Sequence, residues 1–70
     1  MTDVVAPMVG KVVRIVANVG QKVEIDDPVV IIESMKMENQ VVAPESGVIK
    51  EIKVSPGDVV KSGTVMAVIE

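Results

Sequence analysis

The 70-residue chain contains one pattern twice, at a fixed offset of 37 residues. Residues 4–33 align without a gap to residues 41–70, and ten of the thirty aligned positions are identical. The identical pairs are Val4/Val41, Val5/Val42, Ala6/Ala43, Pro7/Pro44, Gly10/Gly47, Ile15/Ile52, Gly20/Gly57, Val23/Val60, Ile32/Ile69 and Glu33/Glu70. Half of such a chain cannot bury one face of a sheet alone, whereas two interlocked copies can. The repeat therefore predicts a single domain, residues 1–70, with pseudo-twofold symmetry.

Residue usage restricts both halves to β-structure. Val, Ile and Thr together supply 27 residues, whereas Leu is absent and Ala occurs four times. β-branched side chains suit a pleated sheet better than a helix, and the strongest helix formers are scarce. Turn residues separate four short apolar runs in each half, which is the spacing of a small all-β sandwich or barrel. The predicted strands are 3–6, 10–17, 22–24, 29–33, 38–42, 47–54, 59–60 and 65–69.

One of these strands contains an irregularity. Within 47–54 the apolar residues Ile49, Ile52 and Val54 depart from strict alternation. A β-bulge inserts an extra residue and shifts the alternation in this way. We therefore predict a bulge in this strand and a second one at the equivalent place in the first half.

Composition excludes several classes of function. The chain has no His, no Cys and no aromatic residue, and its net charge is −3. It thus lacks an imidazole base, a Cys–His pair and the usual zinc ligands, so we predict no catalytic residue and no metal site. Without a basic patch or stacking platforms, nucleic acid is not a predicted partner. No segment resembles a signal peptide or a membrane span, so we predict a cytoplasmic protein with no membrane insertion.

The segment between the repeats, residues 34–40, has no counterpart elsewhere in the chain. It reads Ser-Met-Lys-Met-Glu-Asn-Gln, and we predict a tight hairpin with its tip near Met35-Lys36. Two-residue hairpin turns need positive φ angles and favour Asn-Gly or Asp-Gly. Met and Lys adopt that conformation at a cost of about 1 kcal/mol or more per residue. Residues that do not fit the preference of their turn indicate a functional site there. The alternative is a longer turn without strain.

Lys36 is the reactive group of this hairpin. Lysines that act as general bases or form Schiff bases need burial or a neighbouring cation, which a protruding tip does not supply. A primary amine held clear of the body can instead serve as a tether to which an enzyme attaches a cofactor. On that interpretation Met35 and Met37 form the apolar surface that the attaching enzyme reads. A solvated lysine without function is the alternative that the residues alone leave open.

The residues Glu33-Ser34-Met35-Lys36-Met37-Glu38-Asn39 resemble the attachment motif of biotinyl domains, in which the lysine of Met-Lys-Met carries biotin through an amide bond. The resemblance covers the whole chain, because each half also has Ala-Pro-x-x-Gly followed by a Gly-containing turn. It implies a flattened barrel-sandwich of two four-stranded antiparallel sheets. It also implies covalent biotin on Lys36 and recognition of Glu33, Met35, Met37 and Glu38 by biotin protein ligase.

The same resemblance implies a carrier domain that is not an enzyme by itself. Its partners would be a biotin carboxylase and a carboxyltransferase, for acetyl-CoA, propionyl-CoA, pyruvate or oxaloacetate-type substrates. Ser34 stands where the family more often has Ala, a change between small residues that we expect to matter little. Residues 17–21 are no longer than their repeat partners 54–58, so the extra "thumb" loop of some bacterial carriers is not predicted. Because carrier docking is transient, we expect a mostly polar surface.

Two alternatives to a biotin carrier follow from related folds. Lipoyl carriers share the fold and the hairpin lysine, but usually have Asp before that lysine and Ala after it, where this chain has Met35 and Met37. Lipoate is therefore the less favoured cofactor. An unmodified β-module that serves in assembly is the other alternative, although such modules lack the attachment motif and lie within long helical hairpins.

Overall fold

A computed structural model describes all 70 residues, 1–70, and contains eight β-strands and no helix. None of its segments is a helix with the length and apolarity needed to cross a membrane. The strands are β1 (Thr2–Val5), β2 (Gly10–Ile15), β3 (Lys22–Val23), β4 (Pro28–Ser34), β5 (Met37–Val42), β6 (Gly47–Ile52), β7 (Val59–Val60) and β8 (Val65–Ile69).

The predicted strands are confirmed in number and order, and their ends differ by at most two residues. Strands β7 and β8 have the predicted bounds, whereas β2 and β6 end two residues earlier than predicted. The two strands end at Ile15 and Ile52. Just beyond each end, one further backbone hydrogen bond reaches the neighbouring strand, from Val16 N to Val29 O and from Lys53 N to Met66 O. Strands β4 and β5 are longer than predicted at the hairpin, because the turn that joins them takes only two residues.

Each half contributes strands to both sheets. One sheet has the order β1-β8-β6-β3 and the other β5-β4-β2-β7, and every pair is antiparallel. Since β1 and β3 lie in the sheet of β6 and β8, neither half forms a complete sheet on its own. The predicted pair of four-stranded antiparallel sheets is confirmed, and this exchange of strands interlocks the halves.

The pseudo-twofold axis relates individual hydrogen bonds. Gly20 N donates to Ile49 O at 2.8 Å, and at the equivalent positions Gly57 N donates to Val12 O at 2.7 Å. The register of β6 with β8 shifts between Ile49 and Glu51, which confirms the predicted bulge. The register of β2 with β4 shifts at the equivalent place, between Val12 and Arg14, which confirms its counterpart.

The core between the sheets is a single apolar cluster of fifteen residues with no buried polar side chain. Its members come from both halves, and the largest fully buried ones are Ile32, Ile49, Met66 and Ile69. Two further buried hydrophobic residues, Ile31 and Val68, and the buried Gly10 lie outside this cluster. Burial of so many β-branched side chains on one face of each sheet holds the two sheets together.

The two ends of the barrel have different chain features. Thr2 pairs with Ile69, so both termini lie together at one end of the sheet that contains β1 and β8. Strand β1 runs away from that end, and Gly10 follows beside Glu33, at the base of the β4–β5 hairpin. The hairpin tip and the termini are therefore at opposite ends of a body with extents of 30 × 18 × 18 Å.

Candidate functional site

The hairpin between β4 and β5 has a two-residue turn. Ser34 pairs with Met37, and Glu33 pairs with Glu38 in the next rung of the ladder. The two residues between them, Met35 and Lys36, have φ angles of 55° and 65°. Two successive left-handed residues are the signature of a type I′ turn, whose twist matches that of the strands. The predicted left-handed turn is confirmed, and the longer, unstrained alternative is wrong.

This turn is an exception among the left-handed positions of the chain. Three of the others are glycines, Gly20, Gly57 and Gly63, and the fourth is Asp26 with φ of 72°. Glycine adopts this region freely and Asp tolerates it, whereas an ordinary side chain costs about 1–2 kcal/mol there. The hairpin therefore keeps Met and Lys at positions where the backbone alone favours Asn-Gly.

The side chains at the tip are in solvent. Met35 is 91% exposed, Met37 is 67% exposed, and Lys36 is exposed as well. The only salt bridge of the chain joins Lys53 to Glu51, and no side-chain hydrogen bond involves Lys36. The amine of Lys36 is thus free to meet a reagent that another protein presents.

No cavity surrounds Lys36. The one surface depression, of about 390 Å³, lies on the other sheet and is lined by Met1, Asp3, Lys50, Glu51, Lys53, Val65 and Val68. A lysine that performs chemistry on a bound substrate needs a concave, partly desolvated site. The geometry at the tip instead suits a group that is modified and then carried.

The base of the hairpin is held against β2 by a close backbone approach at Gly10. A Cβ atom on Gly10 would lie 2.9 Å from Glu33 O and 3.3 Å from Ile32 Cδ1. Asn39 supports the other arm, where its Nδ2 donates to Met37 O at 3.3 Å. The sequence analysis has Gly10 only as a repeated position within Ala-Pro-x-x-Gly, although its recurrence as Gly47 is a signal that a side chain is excluded at both places.

The residues predicted for recognition by a ligase occur together. Glu33 and Glu38 are both exposed and face each other across the hairpin, one rung below the pair that closes the turn. Together with Met35, Lys36 and Met37 they surround the tip of the hairpin, with Glu33 and Glu38 on one face of the ladder and Met37 on the other, because successive residues of a strand point to opposite faces. Their proximity follows from the ladder, and their role in recognition stays a prediction.

The acidic turn before β4 has a structural explanation. Asp27 Oδ2 accepts a hydrogen bond from Glu24 N at 2.9 Å, as Thr64 Oγ1 does from Lys61 N at the equivalent turn. No group of three His, Cys, Asp or Glu residues in the chain could hold a metal ion. These acids fix a turn and converge on no common point.

Similarity to known proteins extends over the whole chain. It is 43% identical over 58 residues to the biotin carboxyl carrier protein of Streptococcus mutans, covering 83% of this chain and 45% of that protein. It is 40% identical over 67 residues to a biotinylated protein of Mycobacterium leprae, the TB7.3 homolog, covering 96% and 94% of the two chains.

A solved structure and a family model agree with these relatives. The crystal structure of the urea carboxylase of Kluyveromyces lactis contains a region with a TM-score of 0.94 and 39% identity, covering 99% of this chain and 6% of the carboxylase. The chain thus spans less than half of the Streptococcus relative and a small part of the carboxylase. The model of the biotin/lipoyl family, described as "Biotin-requiring enzyme", matches residues 2–69, and the chain belongs to that family.

Proposed function

We propose that this chain is a biotin carboxyl carrier domain and that Lys36 Nζ holds biotin through an amide bond. The observation that carries the proposal is an exposed, unpaired lysine between two exposed methionines, on a left-handed turn that backbone energetics alone would fill with other residues. A primary amine in solvent fits an acyl group, since it can reach an activated acyl donor that another protein presents. The names of the relatives, a carrier protein and a biotinylated protein, support biotin over lipoate.

Attachment would follow ordinary acyl transfer. Biotin protein ligase would present biotin as its acyl-adenylate, and Lys36 Nζ would attack the carbonyl carbon. The new bond joins the carbonyl carbon to Nζ, the bond from that carbon to the phosphate oxygen breaks so that AMP leaves, and Nζ gives up a proton. Glu33, Met35, Met37 and Glu38 would be the groups that position the hairpin against the ligase.

Beyond holding the biotin, the chain itself would only position it for the enzymes that act on it. Bound biotin would supply a ureido nitrogen that receives a carboxyl group at one enzyme, from bicarbonate activated by ATP, and gives it to an acceptor at another. Lys36 would hold that group at the end of four methylenes, and the paired strands β4 and β5 would keep the tether at the tip of a rigid body. Tethering raises the local concentration at each enzyme without requiring a tight complex.

The finer assignments rest on this proposal. Biotin protein ligase would be the attaching enzyme, and a biotin carboxylase and a carboxyltransferase would be the enzymes served. A cytoplasmic location stays a prediction from the sequence. The acceptor of the carboxyl group is a property of the transferase, because the chain offers no pocket at Lys36 to select one.

The test is co-expression with a biotin protein ligase in the presence of biotin, followed by intact mass measurement and peptide mapping. We expect one biotinyl increment, located on Lys36. A lipoyl increment alone, obtained when a lipoyl ligase and lipoate are also supplied, would transfer the assignment to the lipoyl alternative. A chain that stays unmodified in both cases would leave the assembly module as the remaining function.

A further inference from the structure

Methionine side chains are concentrated at the end of the barrel where the β4–β5 hairpin projects. The chain has five methionines, and three of the four beyond the first residue lie at this end. Met35 and Met37 flank Lys36. Met8 lies in the connection between β1 and β2, which leads to the strand beside the base of the hairpin. The repeat does not require these residues, because the equivalent of Met8 is Glu45 and the other two lie in the unrepeated segment.

Exposure and contacts distinguish the two hairpin methionines from the others. Met35 and Met37 are 91% and 67% exposed, and no hydrogen bond involves either sulfur atom. Met66, in contrast, is fully buried in the apolar core. Met1 is also exposed, but it lies at the opposite end of the barrel, where its Sδ accepts a hydrogen bond from Lys50 Nζ at 3.2 Å. The thioethers of the hairpin are thus accessible to any small reagent dissolved in water.

Accessible thioethers react with hydroperoxides such as hydrogen peroxide. A lone pair of the sulfur attacks one peroxide oxygen, the O–O bond breaks, and the proton of the transferred oxygen passes to the departing hydroxide, which leaves as water. The sulfur loses the two electrons that the peroxide gains, and the product is a sulfoxide. Methionine sulfoxide reductases reverse the change, because two thiols supply the electrons and become a disulfide while the oxygen leaves as water. Oxidation therefore replaces an apolar group by a polar one, and it does so reversibly.

We propose that Met35 and Met37 are sites of reversible oxidation by hydroperoxides and that their sulfoxides slow the attachment of biotin to Lys36, an inference that rests on the proposed carrier function. The reaction does not alter the amine of Lys36. It alters the surface that the ligase must bury, since a sulfoxide oxygen that leaves water without a new hydrogen-bond donor costs free energy. The consequence is a carrier whose loading depends on the redox state of its surroundings.

Oxidation at the hairpin leaves the fold intact, which separates this site from the core methionine. Neither Met35 nor Met37 belongs to the core cluster, and the hydrogen bond from Asn39 Nδ2 reaches the backbone oxygen of Met37, not its sulfur. A sulfoxide on Met66 would instead place a polar oxygen in a core that contains no polar side chain. Thermal melting therefore distinguishes the two cases: oxidation of the hairpin leaves the melting temperature unchanged, and oxidation of the core lowers it.

The test uses the whole 70-residue chain before biotin is attached, so that only the protein's own thioethers react. The chain is treated with hydrogen peroxide, the excess is destroyed with catalase, and peptide mapping locates the added oxygen. The initial rate of labelling by biotin protein ligase and the melting temperature are measured before oxidation, after it, and after treatment with reductases for both sulfoxide epimers. Met35→Leu combined with Met37→Leu keeps two apolar side chains that peroxide cannot oxidise. Met8→Leu is the matched control, because it removes the third thioether at this end and leaves the hairpin unchanged.

We expect oxygen on Met35 and Met37 before Met66, a labelling rate lowered by about tenfold at an unchanged melting temperature, and recovery of that rate on reduction. The double leucine variant should stay within about twofold of its own untreated rate after peroxide, whereas Met8→Leu should slow as the wild type does.

An oxidised wild-type chain that is labelled at its original rate, or a double leucine variant that slows as much as the wild type, would overturn the proposal while the biotinyl increment on Lys36 still supported the carrier function. If Met8→Leu becomes insensitive to peroxide, the responsible thioether is Met8, and if rate and melting temperature fall together, the loss comes from the core; either result overturns the proposal. Where the leucines slow labelling by themselves, the wild type decides, because a rate that the reductases do not restore contradicts a reversible site. Untreated wild-type chain that takes no biotin would overturn the carrier function itself.

Discussion

The β4–β5 hairpin and the other turns meet the same backbone requirement with different residues. Elsewhere, left-handed positions are occupied by Gly20, Gly57, Gly63 and Asp26, which the conformation favours or tolerates. At the hairpin the same conformation is imposed on Met and Lys, whose φ angles are 55° and 65°. Turns of the body thus have the residues that the backbone favours, whereas the hairpin does not, which is explained if its side chains have the proposed role.

Of the changes considered, replacing the amine of Lys36 should have the largest effect. Lys36→Arg should abolish biotinylation, because the guanidinium stays protonated and is not an acceptor for acyl transfer. The free energy of unfolding should change by no more than about 0.5 kcal/mol, since the side chain is exposed. Intact mass and a thermal melt measure the two quantities. Lys11→Arg, on β2 near the base of the hairpin, is the control that should keep full labelling; biotin on the Lys36→Arg protein would refute the assignment.

Changing a body turn should act on stability and spare the chemistry. Gly20→Val and Gly57→Val should each lower the free energy of unfolding by about 2 kcal/mol, because φ angles of 89° and 97° strain a β-branched residue. A Cβ atom would meet nothing within 4 Å at either site, so the loss comes from the backbone alone. Chemical denaturation measures it. The control is Lys22→Val, whose equivalent residue is already Val59; an equal loss there would contradict this explanation.

These turns are also where the sequence was most informative. Local signals such as Gly20, Gly57 and the two-residue tip were readable, because a turn is decided by a few neighbouring residues. The exchange of β1 and β3 between halves was not readable, because strand pairing joins residues far apart in the chain. The run Val29–Ile32 has no polar residue from which inner and outer positions could be told apart; the structure buries all four, yet Ile31 lies outside the core cluster. Its cover comes from cross-strand neighbours, which only the register identifies.

The side chains beside Lys36 provide a smaller and more specific test. Met35→Asp combined with Met37→Ala should lower the rate of biotinylation by about tenfold, equivalent to about 1.4 kcal/mol. The physical reason is the loss of two exposed apolar side chains, which bury area against the ligase. Initial rates of labelling at low ligase concentration measure the change.

The matched control for this variant is Val19→Asp. Val19 is an exposed apolar residue, 62% accessible, in a turn at the opposite end of the barrel. Its substitution should leave the labelling rate unchanged. If the two proteins are labelled equally fast, the ligase reads the fold and the lysine alone, and the methionines need another explanation.

The smallest expected effect measures the strain that Met35 and Lys36 cause at the hairpin turn. Met35→Asn with Lys36→Gly installs the pair that a type I′ turn favours, and should raise the free energy of unfolding by about 1 kcal/mol, because relief of left-handed strain exceeds the added chain entropy of glycine. For a domain of this size the melting temperature should rise by about 4–8 °C. Asp26→Gly is the control: its equivalent is already Gly63, and Asp tolerates the conformation, so the gain should be a few tenths of a kcal/mol at most. Equal gains at both turns, or none at the hairpin, would mean that Met and Lys are held there without strain. A clear gain at the hairpin alone would show that a more stable turn is available to this fold at the one position where it would remove the lysine proposed for attachment.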